Sequence, residues 1–112
     1  MTRVTNSATT IEEGIATMID AMKADYTAWC LPSASLPVWT VKYGRKYAKV
    51  VSGGQGTPCV TAFVVTASDD KKFRLGDLLK PSGWATPARN SARGNVLDGG
   101  YSIKWTGPLY LN

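Results

Sequence analysis

The chain has 112 residues, 44% of them hydrophobic, with four Trp and five Tyr. That length and content argue against disorder and suit one domain, residues 1–112, that buries a core without disulfide or metal. The formal charge is +5 and there is no His. This excludes His-based acid–base catalysis, Cys–His nucleophiles and His-containing zinc sites.

Residues 1–8 are polar and are expected to fray. They lack the apolar core of a signal peptide. No apolar run approaches the ~20 residues that span a bilayer, so no membrane partner is expected. Thr10 and Glu13 form a Thr-x-x-Glu capping box. Ile11, Ile15, Met18, Met22, Tyr26 and Trp29 follow at steps of three and four, the apolar stripe of an amphipathic helix covering a sheet. Pro32 and Pro37 stop that helix and bound a linker from Leu31 to Leu36.

The period then changes. Val38–Tyr43 is β-branched and aromatic, Gly44-Arg45-Lys46 reads as a turn, and Tyr47–Val51 reads as the return strand. Gly53–Pro58 is a loop by composition. Cys59–Thr66 is almost continuously apolar and is expected to be a central, buried strand. Ala67–Lys72 is a polar turn, Phe73-Arg74-Leu75 a candidate short strand, and Leu78-Leu79-Lys80 leads into the Trp84 segment. Thr86 as N-cap, Pro87 at the first helical position and Gly94 as a C′ residue predict a two-turn helix at 87–93. Trp84 would anchor that helix in the core, and Arg89 and Arg93, four apart, would share one of its faces. Tyr101–Trp105 alternates as a last strand, and Leu109–Leu111 is apolar enough to tie down the end. The fold class is α+β: an N-terminal amphipathic helix packed on a meandering antiparallel sheet of three to five strands, with a short helix near 87–93.

The second half resembles a set of small uncharacterised proteins of tailed bacteriophages. The residues that carry the resemblance are Gly44-Arg45-Lys46-Tyr47, then Lys80-Pro81-Ser82-Gly83-Trp84-Ala85-Thr86-Pro87-Ala88-Arg89, then Ala92-Arg93-Gly94-Asn95. Gly83 is an extra residue between Ser and Trp relative to that pattern. The likeness spans residues 43–97. It implies a viral origin and a host-cytoplasm setting, and no mechanism.

Little here suggests an enzyme. Cys30 and Cys59 are too few for a four-thiolate site and read as reduced, small hydrophobic residues. Gly53-Gly54-Gln55-Gly56 lacks the lysine of a phosphate loop. Asp69-Asp70 reads as a solvated charge pair rather than a metal pair. No cofactor is expected.

Charge points to a polyanion. Residues 1–30 carry two basic and four acidic side chains, whereas residues 31–112 carry eleven and four. Arg45, Lys46 and Lys49 share a hairpin with Tyr43 and Tyr47, while Lys80, Arg89 and Arg93 lie near Trp84. Basic groups track phosphates and aromatic rings stack bases. The expected function is a nucleic-acid-binding accessory protein, preferring single strands to duplex. The nucleic-acid-binding residues would be Tyr43, Arg45, Lys46, Tyr47, Lys49, Lys80, Arg89 and Arg93. The two basic groups are expected to converge on one surface. The alternative is a protein-interaction role, as a virion component or an inhibitor of a host enzyme, with a host or phage protein as partner or self-association into a homo-oligomer. A His-free nuclease is a weaker third.

Overall fold

The Thr10 capping box forms and starts the helix. In the computed structural model, which describes residues 2–29, 38–53, 58–89, 91–104 and 107–108, the Glu13 amide donates to Thr10 Oγ1 at 3.2 Å. The Glu13 carboxylate in turn accepts from the Thr9 amide at 3.1 Å. One donor that the first turn leaves without a helical partner is thereby satisfied, and the return bond goes to the residue before the cap, Thr9, rather than to Thr10 itself. Helix α1 runs Ile11–Trp29. Its stripe is the core: Ile15, Met18 and Met22 are fully buried, with Ile11 and Tyr26 packed beside them. Each fully buried side chain of that size contributes about 1.5–3 kcal/mol.

The fold is α+β with an N-terminal helix on an antiparallel meander, as expected, and a second, smaller antiparallel sheet takes the chain's two ends. The larger has the order β2 (Val38–Tyr43), β3 (Tyr47–Gly53), β4 (Cys59–Val65), β5 (Leu78–Leu79). The smaller joins β1 (Thr2–Val4), β6 (Tyr101–Lys104) and β7 (Gly107–Pro108), with β6 in the middle. Residues 2–4 are therefore not frayed: Thr2 faces Ile103 and Val4 faces Tyr101 across the β1–β6 ladder. Helix α1 packs on the inner faces of both sheets. Ile15, Met18 and Met22 meet Trp39, Ala48, Val50, Ala62, Val64 and Leu78 from one, and Val4, Tyr101 and Ile103 from the other.

The apolar run of β4 is central, as its composition predicts, and residues 61–65 are all buried. Both faces are covered. Ala62 and Val64 face the helix, while Phe63 and Val65 pack with Phe73 and Leu79 on the other side. A bulge interrupts the β3–β4 register: Val50 pairs with Ala62 and Val51 with Val60, so Thr61 is the extra residue. Its hydroxyl donates to the Val50 carbonyl at 3.1 Å, which satisfies a polar side chain that is otherwise buried.

Residues 87–93 do not form the expected helix; α1 is the one helix among the described residues. Pro87 instead bridges to Pro81, and Ala88 donates to the Lys80 carbonyl at 2.7 Å. The following segment runs beside the outer edge of β5. Arg93 donates to the Leu78 carbonyl, and Leu78 donates back to the Gly94 carbonyl. Gly94 has a positive φ of 152°, but no helix precedes it. A Cβ there would lie 2.6 Å from that of Tyr101, so glycine allows the segment to pass over Tyr101. Asn95 is buried and uses its whole amide. Its Nδ2 donates to the Leu75 carbonyl and Asp77 Oδ1, and its Oδ1 accepts from the amides of Leu97 and Asp98. Phe73-Arg74-Leu75 is not a strand; the fourth strand is Leu78–Leu79. The Leu31–Leu36 linker, Cys30, most of the Gly53–Pro58 loop, Trp105 and Leu109–Leu111 lie outside the described residues, as does the side chain of Trp29.

Candidate nucleic-acid interface

The turn Gly44-Arg45-Lys46 sets the register of the β2–β3 hairpin. Gly44 donates to the Tyr47 carbonyl at 2.8 Å, and the tip is tied to the sheet by Thr66. The Thr66 amide donates to the Lys46 carbonyl and its hydroxyl to that of Gly44. Counting back from the turn, Tyr43 faces Ala48 and Lys42 faces Lys49. Directly opposed residues point to the same side of an antiparallel ladder. The row Lys42, Lys49, Phe63, Leu79 therefore crosses the outer face of the sheet, away from α1.

That row begins with two like charges side by side, an arrangement that costs stability in the absence of an anion. A groove of about 300 Å³ opens there, lined by Lys42, Tyr43, Gly44, Arg45, Lys46, Tyr47, Lys49, Phe63 and Ala85. Four of the nine lining residues are basic and none is acidic. Tyr43 is exposed, but it shares its side of the ladder with Ala48, Val64 and Leu78, the helix side, so it borders the groove at the turn and does not join the face that carries Lys42 and Lys49. Partial burial, then the charge of Glu12, pushes its phenol above the ordinary tyrosine value.

Trp84 is not a core anchor; it is 52% exposed. It sits on a loop closed by Thr86, whose carbonyl accepts from the Ser82 and Gly83 amides and the Ser82 hydroxyl. Lys49 reaches it across the sheet. The ammonium lies 4.3 Å from the centre of an indole ring and donates to the Trp84 carbonyl at 3.1 Å. The cation thus holds an aromatic platform at the side of the basic groove.

Arg89 joins the hairpin, but as a clamp. Its guanidinium pairs with Asp70 through two 3.0 Å bonds, donates to the Tyr47 hydroxyl, and lies 4.9 Å from the centre of the Phe73 ring. Asp70 also accepts from the amides of Lys72 and Phe73, each at 2.9 Å. The Arg89 bonds first, then these amides, hold its carboxyl well below the usual carboxylate range. A second cavity of about 400 Å³ lies against this clamp, with Lys46, Tyr47, Asp69, Asp70, Lys71 and Arg89 among its walls. Asp98 pairs with Arg74 at 3.0 Å.

The two basic groups thus converge in part. Arg89 meets Lys46 and Tyr47, while Arg93 and Lys80 line neither cavity. Lys80 forms a separate cluster with Arg93 and Lys104: burial first, then those two charges, pushes its ammonium below the ordinary lysine value. Two members of the interface escaped the sequence reading. Lys42 was recoverable by counting outward from the turn. The exposure of Trp84 was not, because its loop is closed by backbone bonds that no residue type announces.

Fold and groove together define a small basic α+β domain with a cationic, aromatic-rimmed face on one side of its larger sheet. The chain belongs to DUF7717, a family of unknown function, which it matches over residues 2–110. No curated protein and no solved structure matches it. Among the described residues no helix is long and apolar enough to cross a membrane.

Proposed function

We propose that the chain is a binding protein for single-stranded nucleic acid, and that the outer face of the β2–β3 hairpin holds the strand. The observation that carries this reading is the groove whose lining has four basic and no acidic side chains beside the exposed Trp84. Lys42, Arg45, Lys46 and Lys49 track phosphates, and Trp84 offers a ring face to a base that a duplex would keep stacked. Arg89 fixes the Tyr47 hydroxyl rather than binding the strand, since Asp70 already neutralises it. Taken with the phage resemblance, the setting is the host cytoplasm and the ligand a phage or host strand.

The test is fluorescence anisotropy with a labelled single-stranded oligonucleotide across a salt series. Log affinity should fall with log salt at about −0.7 per phosphate contacted, so near −2.8 if all four basic side chains engage. Arg45→Glu with Lys46→Glu should weaken binding and flatten that slope by about 1.4, leaving the thermal melt unchanged because both side chains are exposed in the turn. Undetectable binding at low salt would sink the proposal. A partner captured with little salt dependence would instead support the protein-interaction alternative.

A further inference from the structure

A cavity of about 320 Å³ lies on the Trp84 side of the basic groove, lined by Pro58, Cys59, Val60, Pro81, Gly83 and Trp84. No charged residue lines it. The groove and this slot are joined by one contact: Lys49 belongs to the groove wall and its ammonium lies over the Trp84 indole, which belongs to the slot wall. We infer that the slot seats one unpaired base of a single strand whose phosphates lie in the groove. This rests on the reading of the groove given above and adds a base site to it.

Three features select that occupant. The depression is open and at the low end of ligand-pocket volumes, so it presents one short patch and no enclosed channel for a lipid chain. The walls are flat and apolar, proline rings and an indole, which is what a π-face stacks on. The walls join a cationic groove, so an anionic backbone carrying flat apolar side groups matches both halves at once, and a neutral ligand matches only one. The platform is held before any ligand arrives. Thr86 closes the loop from inside, the Pro81–Pro87 bridge holds its base, and Lys49 bonds the Trp84 carbonyl. Preorganisation of this kind lowers the cost of ordering on binding. The one strong hydrogen-bonding group among the slot side chains is the Trp84 indole N–H, a lone donor for which every base has an acceptor, and Cys59 adds only a weak thiol. The slot therefore senses that a base is present and not which base it is.

The experiment compares a homothymidine strand with an equally long abasic strand, at one low salt concentration, by anisotropy. The thymidine strand should bind about 5- to 150-fold more tightly. Trp84→Ala should abolish that preference while leaving the salt slope intact, and Trp84→Phe should keep part of it. Cys59 gives an independent readout, because it is a free, exposed thiol in the slot wall. In a Cys30→Ser chain, maleimide labelling of Cys59 should be slowed by the thymidine strand and not by the abasic one. Equal affinity for the two strands, with a normal salt slope, would overturn the slot and leave the groove standing. So would a preference that survives Trp84→Ala, or labelling that neither strand slows. Failure of both strands to bind at low salt would overturn the groove, and the slot with it.

Discussion

The two faces of the four-stranded sheet are built from alternate residues of the same strands, and they serve opposite ends. On the inner face, Trp39, Ala48, Val50, Ala62 and Val64 meet the helix, and every one of them is buried. On the outer face, Lys42 sits opposite Lys49, Tyr47 stands edge-on to Phe63 at 6.0 Å, and the exposed Trp84 lies under the Lys49 ammonium. The first face gains stability from burial. The second buries Phe63, Val65 and Leu79 toward one edge and, toward the hairpin, carries charge that the fold itself does not need. Mutations on the first should therefore move stability alone, and the important mutations on the second should move binding.

The largest expected effect is on the helix-covered side. Ile15, on the sheet-facing stripe of the helix, is 1% exposed, and Ile15→Ala should cost about 2–5 kcal/mol through lost transfer energy and the cavity left behind. Urea denaturation measures this directly. A midpoint unchanged by the substitution would show that the stripe is not core.

Alkali tests the same core in another way. Tyr101 is buried under the Gly94 segment, its hydroxyl has no hydrogen-bond partner among the described residues, and burial pushes its phenol up to about 12. An unfolded tyrosine ionises near pH 10, so between roughly 10 and 12 the unfolded chain loses a proton that the folded chain keeps. Stability is thus fully present below about pH 10 and falls as pH rises toward 12, by about 2–3 kcal/mol from this group. Tyr101→Phe should remove that loss. It should be close to neutral at pH 7, because the hydroxyl it deletes is unpaired. Phenolate absorbance across an alkaline titration should show that the last tyrosine to ionise in the parent is missing from the variant.

These core contacts were largely legible before any coordinates. The Thr10 box and the stripe at Ile11, Ile15, Met18, Met22 and Tyr26 announce α1, and the apolar run of β4 announces a strand covered on both sides. The segment after Trp84 misleads for a physical reason. Thr86, Pro87 and Gly94 meet the local requirements of a seven-residue helix, but so short a helix scarcely recovers its nucleation cost. The Leu78 amide and carbonyl meanwhile lie at the edge of β5, and residues 93 and 94 take both. Tertiary pairing outweighs local capping there. The candidate site divides the same way. The hairpin charges are readable by counting outward from a turn. The neutralisation of Arg89 by Asp70, 19 residues away, is not.

Asn95 tests the join between the two faces, since its amide ties the turn before β5 to the turn that follows it. Asn95→Ala would strand the Asp77 carboxylate oxygen, the Leu75 carbonyl and two amides. The expected cost is about 1–3 kcal/mol. Hydrogen exchange should show the loss concentrated at the amides of Leu97 and Asp98. Uniform loss across the sheet would mean that Asn95 acts through the whole core instead.

The smallest effect is the most telling, because its sign reverses between the two measurements. Lys42 and Lys49 face each other across the ladder with no carboxylate among the groove residues. Lys42→Ala removes one of two opposed like charges. Lysine and alanine are both poor strand formers, so propensity changes little. The variant should be more stable by about 0.2–1 kcal/mol at low salt, and the gain should shrink as salt screens the pair. Lys42→Glu should stabilise at least as much, by placing opposite charges across the ladder. Both should bind single strands more weakly, with Lys42→Ala flattening the salt slope by about 0.7. Urea melts at low and high salt, set beside the binding series, decide the matter. If Lys42→Ala destabilises the chain, the methylene stem of Lys42 is packing on the sheet, and the outer face is as structural as the inner one. If it stabilises the fold and weakens binding, that charge is present for a ligand, and the contrast between the faces holds at the level of a single side chain.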